Sequence, residues 1–586
     1  MPSLPPMPPN AARELRRTIR ASTTALRCTL VTALVSVAGC ASPFSTTESE
    51  RGLRIATERL RAIDAMSLDD AAQPGSTPKR YSEVVGAMAE RPRPDAPPEP
   101  FAGLETYELT IEEARAIALE RNLDLRVALA DPVIAGERLR EEEAAFEWAI
   151  FANARRVDTE QPTATELEGS SVVRDSAEAG VRIPLRTGGS ATVSIPFTRT
   201  STDNRFATLD PSYTADPRVS LSVPLLRNAG RWANTASIRI QSLEGQAVDA
   251  RTKLAVIRQL SGVERAYWRL YAARQALDVA QRQYELAMEQ LSRAERRVRA
   301  EVAPELEIVR AEAGVAERLE QIIRAQNSVL LEQRELKRIV NAPGLSLGSQ
   351  TVLLTATEPD PVYYALSPGT LIEAAIANRM ELLEFELRLA QDATNIDFAR
   401  NQLLPSVDVD AAYALRGLAG SAGRAFRNAA DADFDEWTIG LRFEMPIGNN
   451  AAEARVAQAM LTRMQRLSSR DSRRQVVEQE VLNAIDNLES NWQRILAARQ
   501  SIIAAERTLR GEQNQFDAGV RTSTDVLDAA TRLAEAQLIE IRALTDYQIA
   551  QIDLAEATGT LLGAARIRFE PRDPRLVGNG RDSNQR

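Results

Sequence analysis

Gly519-Val520-Arg521-Thr522-Ser523-Thr524-Asp525-Val526-Leu527-Asp528-Ala529 decides how this chain folds. It lies between two long helical patterns and reads as the tight turn that joins them. Gly519 is free to take a positive φ and end the incoming helix. Thr522 or Ser523 can cap the outgoing helix, and Asp525 then falls in its first turn, where a carboxylate is favoured. The turn recurs 218 positions earlier, where Ala300 to Ile308 aligns without a gap on Ala518 to Val526. The pairing runs on upstream at the same offset: Val263 with Val481, Leu270 with Leu488, Leu277 with Ile495, Tyr284 with Ile502, Leu291 with Leu509, Val298 with Phe516. Each series steps by seven, so the pattern predicts a duplicated helical hairpin in coiled-coil packing.

Working outward, Leu109-Thr110-Ile111-Glu112-Glu113-Ala114 opens a helix with Thr110 as cap and Glu113 at the capping-box position. Leu366-Ser367-Pro368-Gly369 repeats that start, with Pro368 at the first helical position. Each helix is expected to run about 40 residues, as far as Trp148 or Pro405. Alternating sequence follows each. Val407, Val409, Ala411 and Tyr413 form one face, as do Trp437, Ile439, Leu441 and Phe443, against polar or charged neighbours. In an outer-membrane barrel such a face meets lipid. Two strands per repeat cannot close a barrel alone, so this reading requires several subunits. The first repeat also alternates at Ala179, Val181 and Ile183, at Ala191, Val193 and Ile195, and at Val219, Leu221 and Val223, with Gly188-Gly189 as a hairpin turn. This surplus is expected to form an elongated loop hairpin. From Pro224 and Pro446 to the turns is about 75 residues, roughly 110 Å of helix. Two shorter helices stacked end to end would match it, which closes the arithmetic for a long tube below a barrel.

The chain has 586 residues, 44% hydrophobic and 26% charged, with net charge −9 and no histidine. The acidic balance argues against a nucleic-acid partner. The two cysteines, Cys28 and Cys40, both lie in the leader region, which excludes a Cys/His nucleophile, a His/Cys zinc site and a disulfide framework. Arg13, Arg16, Arg17, Arg20 and Arg27 precede a short apolar run, as in an export signal. Val37-Ala38-Gly39-Cys40 resembles a bacterial lipobox, which would make Cys40 the acylated first residue of an outer-membrane lipoprotein. The expected divisions are a signal over 1–39, a lipid-anchored linker over 40–105, a first repeat over 106–345, a linker over 346–365, a second repeat over 366–563 and a disordered tail over 564–586.

Gly519 to Ala529, continued by Thr531, Leu533, Ala536, Tyr547, Ile549, Gln551, Leu554, Ala557 and Gly559-Thr560-Leu561, resembles the TolC family of outer-membrane channels, over about residues 106–563. The resemblance implies an α+β membrane protein that is no enzyme and needs no cofactor or metal. It implies a homotrimer whose strands make a twelve-stranded barrel in the outer-membrane lipid, continuous with a periplasmic α-helical tunnel. The partners would be a periplasmic adaptor protein and an inner-membrane transporter, and the function a passive exit duct for small molecules. It implies that Asp525 and Asp528 form acidic rings at the periplasmic entrance. Arg521 would be a gate residue, with Glu307 on the first turn as its partner. Ala300, Glu301, Val302, Ala518, Gly519 and Val520 would be the adaptor-contacting tips. Glu301 stands where the family usually has glycine, and Phe516 where its best-known member has a gate tyrosine. The other readings weighed are a protein-secretion channel and a structural coiled-coil envelope lipoprotein. The two seams of the last helix, Leu527-Ala530-Ala534-Leu538-Ile541 and Ala529-Leu533-Ala536-Ile539-Ala543, ask for two helix neighbours and favour a tube wall over a rod.

Overall fold

The computed structural model describes residues 100–164 and 169–567. The export signal, Cys40, most of the first linker and all but the start of the tail lie outside the described residues. The chain begins with β1 (Thr106–Leu109), α1 (Ile111–Arg121), α2 (Leu123–Ala128) and α3 (Asp131–Ala144). Strands β2 (Ala149–Glu160), β3 (Ser171–Pro184), β4 (Ser190–Thr202), β5 (Ser212–Ala215) and β6 (Arg218–Pro224) follow. A short α4 (Gly230–Asn234) leads into α5 (Ala236–Arg299), which returns as α6 (Leu306–Val340). After β7 (Val352–Thr355) come α7 (Pro368–Asn378), α8 (Met380–Asn401), β8 (Ser406–Leu415), β9 (Gly417–Ala419), α9 (Ala422–Ala430) and β10 (Asp435–Glu444). The chain then runs through α10 (Asn450–Asp517), α11 (Ser523–Ala557) and α12 (Leu561–Ala564).

The hairpins α5–α6 and α10–α11 dominate. With 64 and 68 residues, α5 and α10 are each about 100 Å long. The heptad positions predicted from the sequence line their seams: Val263, Leu270, Leu277 and Leu291 are buried in α5, and Val481, Leu488, Ile495, Ile502 and Phe516 in α10. Both seams of α11 find neighbours, since α11 packs on α10 and on α5. Helix α8 packs on the same two helices further along.

The helix expected before each set of strands is not continuous. The first breaks at Asn122 and again ahead of α3, and the second at Arg379. Asn122 and Arg379 have extended backbone (ψ 130 and 121) that no helical turn accommodates. Each ends one helix and starts the next. Periodicity misses such a break because the apolar pattern resumes in phase on the far side. The segment expected as a plain linker between the halves holds β7, which pairs in parallel with β1 because Val352 and Leu353 are buried there.

The remaining strands form one sheet in the order β10-β8-β6-β4-β3-β2, all antiparallel, with β5 beside β4 and β9. This corrects the expectation of a loop hairpin for the surplus strands. Strands β3 and β4 pair over their whole length and lie inside the sheet, between β2 and β6. Their turn is Gly188-Gly189, both at positive φ, and a Cβ on Gly189 would lie 1.8 Å from the Ser222 carbonyl oxygen. The turn is therefore pressed against the neighbouring strand rather than projecting away.

Candidate functional site at the hairpin tips

Both tips close in the same way. Glu301 (φ 60) and Gly519 (φ 78) occupy the left-handed region. In each, the next residue donates five positions back, Val302 to the Arg297 carbonyl and Val520 to the Gln515 carbonyl. Glycine adopts this conformation freely, whereas a side-chain-bearing residue is strained by about 1 kcal/mol. The departure at Glu301 is thus a strained turn of the same shape.

Thr522 caps α11 in a capping box with Asp525, whose carboxylate accepts from Thr522 N (2.9 Å) and Thr522 Oγ1 (2.8 Å). These bonds, backbone first, hold the Asp525 carboxyl below its ordinary range. Asp528 lies one turn on and is exposed, with no hydrogen bond or ion pair among the described residues. The two acids differ in kind: Asp525 builds the turn, and Asp528 has no such duty.

Arg521 and Glu307 are not brought together within the subunit. The Arg521 guanidinium turns back onto its own hairpin, to Glu512 (3.3 Å) and Gln515 (3.1 Å). The capping box fixes the backbone just after Arg521, so its side chain reaches the end of α10 before it reaches α6. Glu307 does join the hairpins, but through Ser523, a fully buried hydroxyl that donates to it at 2.6 Å. Glu307 also pairs with Arg310 at 3.2 Å.

Three further ties run between the hairpins. The Arg297 guanidinium lies over the Phe516 ring at 4.7 Å, Arg293 reaches Asp517 at 3.7 Å, and Arg318 donates to Thr531 Oγ1 at 2.5 Å. At Phe516 the ring face takes a cation, where a tyrosine would offer a hydroxyl. A cleft of about 180 Å³ opens between the tips, with Arg297, Val302, Glu307, Phe516, Arg521 and Thr522 on its walls. The tip residues Ala300, Glu301, Val302, Ala518, Gly519 and Val520 are all exposed. Leu306 and Val309, which sequence reasoning missed, add exposed apolar surface beside them. Their signal was a leucine and a valine flanking Glu307 on the polar side of the heptad.

Sequence reasoning also missed the joints where the return helices meet the broken ones. Asn122 Nδ2 donates to the Ile339 carbonyl at the end of α6 (2.8 Å), while its Oδ1 accepts from Leu125 N. At the corresponding break, Arg379 donates to the Glu556 and Ala557 carbonyls at the end of α11. Ile339 and Ala557 are 218 positions apart, the same offset as the tips. Arg379 is also gripped by Glu381 (3.0 and 3.1 Å) and Glu480 (2.6 Å), and Arg473 pairs with both acids. Beyond it, Arg265 binds Asp553 and Glu556. These charges line a cleft of about 500 Å³ between α5 and α10.

Two hairpins of this length, joined end to end with broken helices and carrying an antiparallel sheet with one uncovered apolar face, make the fold of the outer-membrane efflux channels. The fold matches the Campylobacter jejuni CmeC outer membrane channel with a TM-score of 0.58, over 80% of this chain and 88% of that one, at 15% identity. Residues 371–560 match the family model described as "Outer membrane efflux protein", and the chain carries a domain of that family. It is similar to the outer membrane protein TolC of Escherichia coli, 26% identical over 305 residues, which are 50% of this chain and 60% of that relative. It is also similar to the TolC of Vibrio cholerae serotype O1, 26% identical over 343 residues, 56% of this chain and 74% of that relative.

Proposed function

We propose that this protein is the outer-membrane exit duct of a tripartite efflux system. It is a homotrimer whose sheets close into a barrel in the outer-membrane lipid. Its hairpins form a periplasmic α-helical tunnel that meets an adaptor protein and an inner-membrane transporter. It is not an enzyme and carries small molecules passively. The observation that supports this best is the division of surfaces within one subunit. The sheet has two unpaired edges, β2 and β10, and an apolar face exposed at Trp437, Ile439, Leu441 and Phe443. Neither is stable in water, and both are satisfied when subunits pair edge to edge in a bilayer. The hairpins carry acids and an exposed apolar tip at the end far from the sheet. We also read the matched tips and joints as a duplication of one helical unit.

The test is sedimentation of the detergent-extracted protein together with drug susceptibility of a deletion strain. A trimer and a susceptibility rescued by the intact gene are expected. A stable water-soluble monomer refutes the reading. We read Cys40 as the lipidated residue, so Cys40→Ser should abolish incorporation of labelled palmitate while leaving trimers intact.

A further inference from the structure

Strands β5 and β6 follow one another along β4, and β8 and β9 follow one another along β5 and β6, so each pair is one strand with a short break. The sheet therefore has six strand positions. One lateral row crosses all six: Ile150, Val181, Val193, Val219, Tyr413 and Trp437, each directly opposite the next. Every member is apolar. The next row on the same face, Ile183, Ala191, Leu221, Ala411 and Ile439, is apolar too. The intervening row on the other face, Arg182, Thr192, Ser220, Ala412 and Thr438, is mostly polar. At these rows the apolar face is bare: Ile150 is 85% exposed, Val193 46% and Trp437 71%. Further along the same face the short α9 packs on it, with Phe426 stacked on Phe197 of β4 at 5.5 Å and Ala425 over Gly417 of β9.

A hairpin folded over the mouth of a channel would meet water on both faces and gain nothing from a row of valines in register with the lipid-facing row of its neighbours. We infer that β3 and β4 are wall strands whose apolar face, continuous with that of β8 and β10, contacts lipid acyl chains. This rests on the trimeric channel reading above. Each subunit then supplies six strands, and three subunits close eighteen where the resemblance implied twelve. An even number per subunit leaves β2 and β10 running in opposite directions, so neighbouring subunits still pair antiparallel. At about 4.8 Å between strands and a tilt of about 40°, twelve strands give a barrel about 24 Å across and eighteen about 36 Å. The membrane segment is correspondingly wider than the family pattern, and any constriction lies elsewhere.

The test is spin labelling at single cysteines placed on adjacent residues of β4, in a background where both native cysteines are serine. Val193→Cys and Ile195→Cys should be more accessible to oxygen than to a water-soluble nickel chelate in liposomes of phosphatidylethanolamine and phosphatidylglycerol. Thr192→Cys, on the intervening polar face, should show the reverse. Electron cryomicroscopy of the unmodified protein should show eighteen strands and a barrel near 36 Å. Chelate access at Val193 equal to that at Thr192, or a trimer with twelve wall strands, overturns the inference and leaves the channel reading standing. A particle that is not a trimer overturns the channel reading itself.

Discussion

Arg379→Ala tests how the second hairpin is held to the broken helix at its joint. The Arg379 side chain is 8% exposed, and truncation removes its bonds to Glu381, Glu480 and two carbonyls at the end of α11. Breaking a buried ion pair by deleting one partner typically costs about 3–5 kcal/mol. Arg473 stays beside both carboxylates, at 3.1 and 3.3 Å, and softens the loss. The two carbonyls would each lose about 0.5–1.5 kcal/mol of net bonding. We expect about 2–4 kcal/mol in all. With an unfolding entropy of about 2.1 cal/mol/K per residue, that lowers Tm by roughly 2–4 °C. The assay is thermal unfolding of the detergent-solubilised protein followed by helical circular dichroism. Acid supplies the control. Burial pushes the Glu381 carboxyl up, but its own backbone N–H, Arg379 and Arg473 outweigh burial and hold it below its ordinary range. A depressed carboxylate contributes stability that is present above its unfolded value and lost as pH falls through the folded one. The gap between wild type and variant should therefore narrow below about pH 4. A variant within about 0.5 kcal/mol of wild type, as for an ordinary surface change, refutes the joint as a structural clamp.

Four other outcomes follow, three from the tips and one that compares a tip with a joint. Glu301→Gly should stabilise by about 0.5–1 kcal/mol, because it relieves a left-handed residue, and denaturant unfolding checks the sign. Gly519→Ala and Gly559→Ala both place a methyl at positive φ, but only Gly559 has backbone in the way, with the Asn378 carbonyl 3.0 Å from the added carbon. Gly559→Ala should thus be the more damaging in the same unfolding assay. Ser523→Ala leaves Glu307 without its link to the second hairpin, and in planar bilayers it should raise the open probability; an unchanged closed state assigns the link no gating role. Asp525→Asn keeps a cap and removes a charge, whereas Asp525→Ala also costs about 1 kcal/mol at the helix start. If the acids select cations, Asp525→Asn with Asp528→Asn should lower the cation preference in single-channel recording, and retained selectivity places the filter elsewhere.

The hairpins were legible because their signal is periodic and long. Six heptads repeated at one offset leave little freedom, and nine of the twelve paired heptad residues are buried, with Tyr284, Val298 and Leu509 half-buried. Caps were legible for the same local reason: Thr110 with Glu113 forms the predicted capping box, and Thr522 with Asp525 another. The joints were not legible. Asn122 and Arg379 look like ordinary polar residues within a helical pattern, and what sets them apart is the carbonyl of a helix some 180 to 220 positions away. The sheet order was hidden for a related reason. Alternation marks β3 and β4 as strands, but nothing local says whether a hairpin inserts between two strands or hangs beyond them.

The tip shows how far a motif can place charge without placing contacts. The sequence puts Arg521, Asp525 and Asp528 at one turn, yet their partners depend on distances it does not encode. Asp525 is consumed by its own cap, and Arg521 by Glu512 and Gln515 on its own hairpin. What Glu307 receives from the second hairpin is instead a short bond from a small buried hydroxyl, Ser523. A serine can serve there because a buried hydrogen bond to a carboxylate needs close approach more than it needs charge. Separating the tips must break that bond, release Arg293 from Asp517 and Arg318 from Thr531, and lift Phe516 from beneath Arg297. In the free subunit, resistance to separating the tips therefore lies at the Ser523–Glu307, Arg297–Phe516, Arg293–Asp517 and Arg318–Thr531 contacts, none of which involves Asp525 or Asp528.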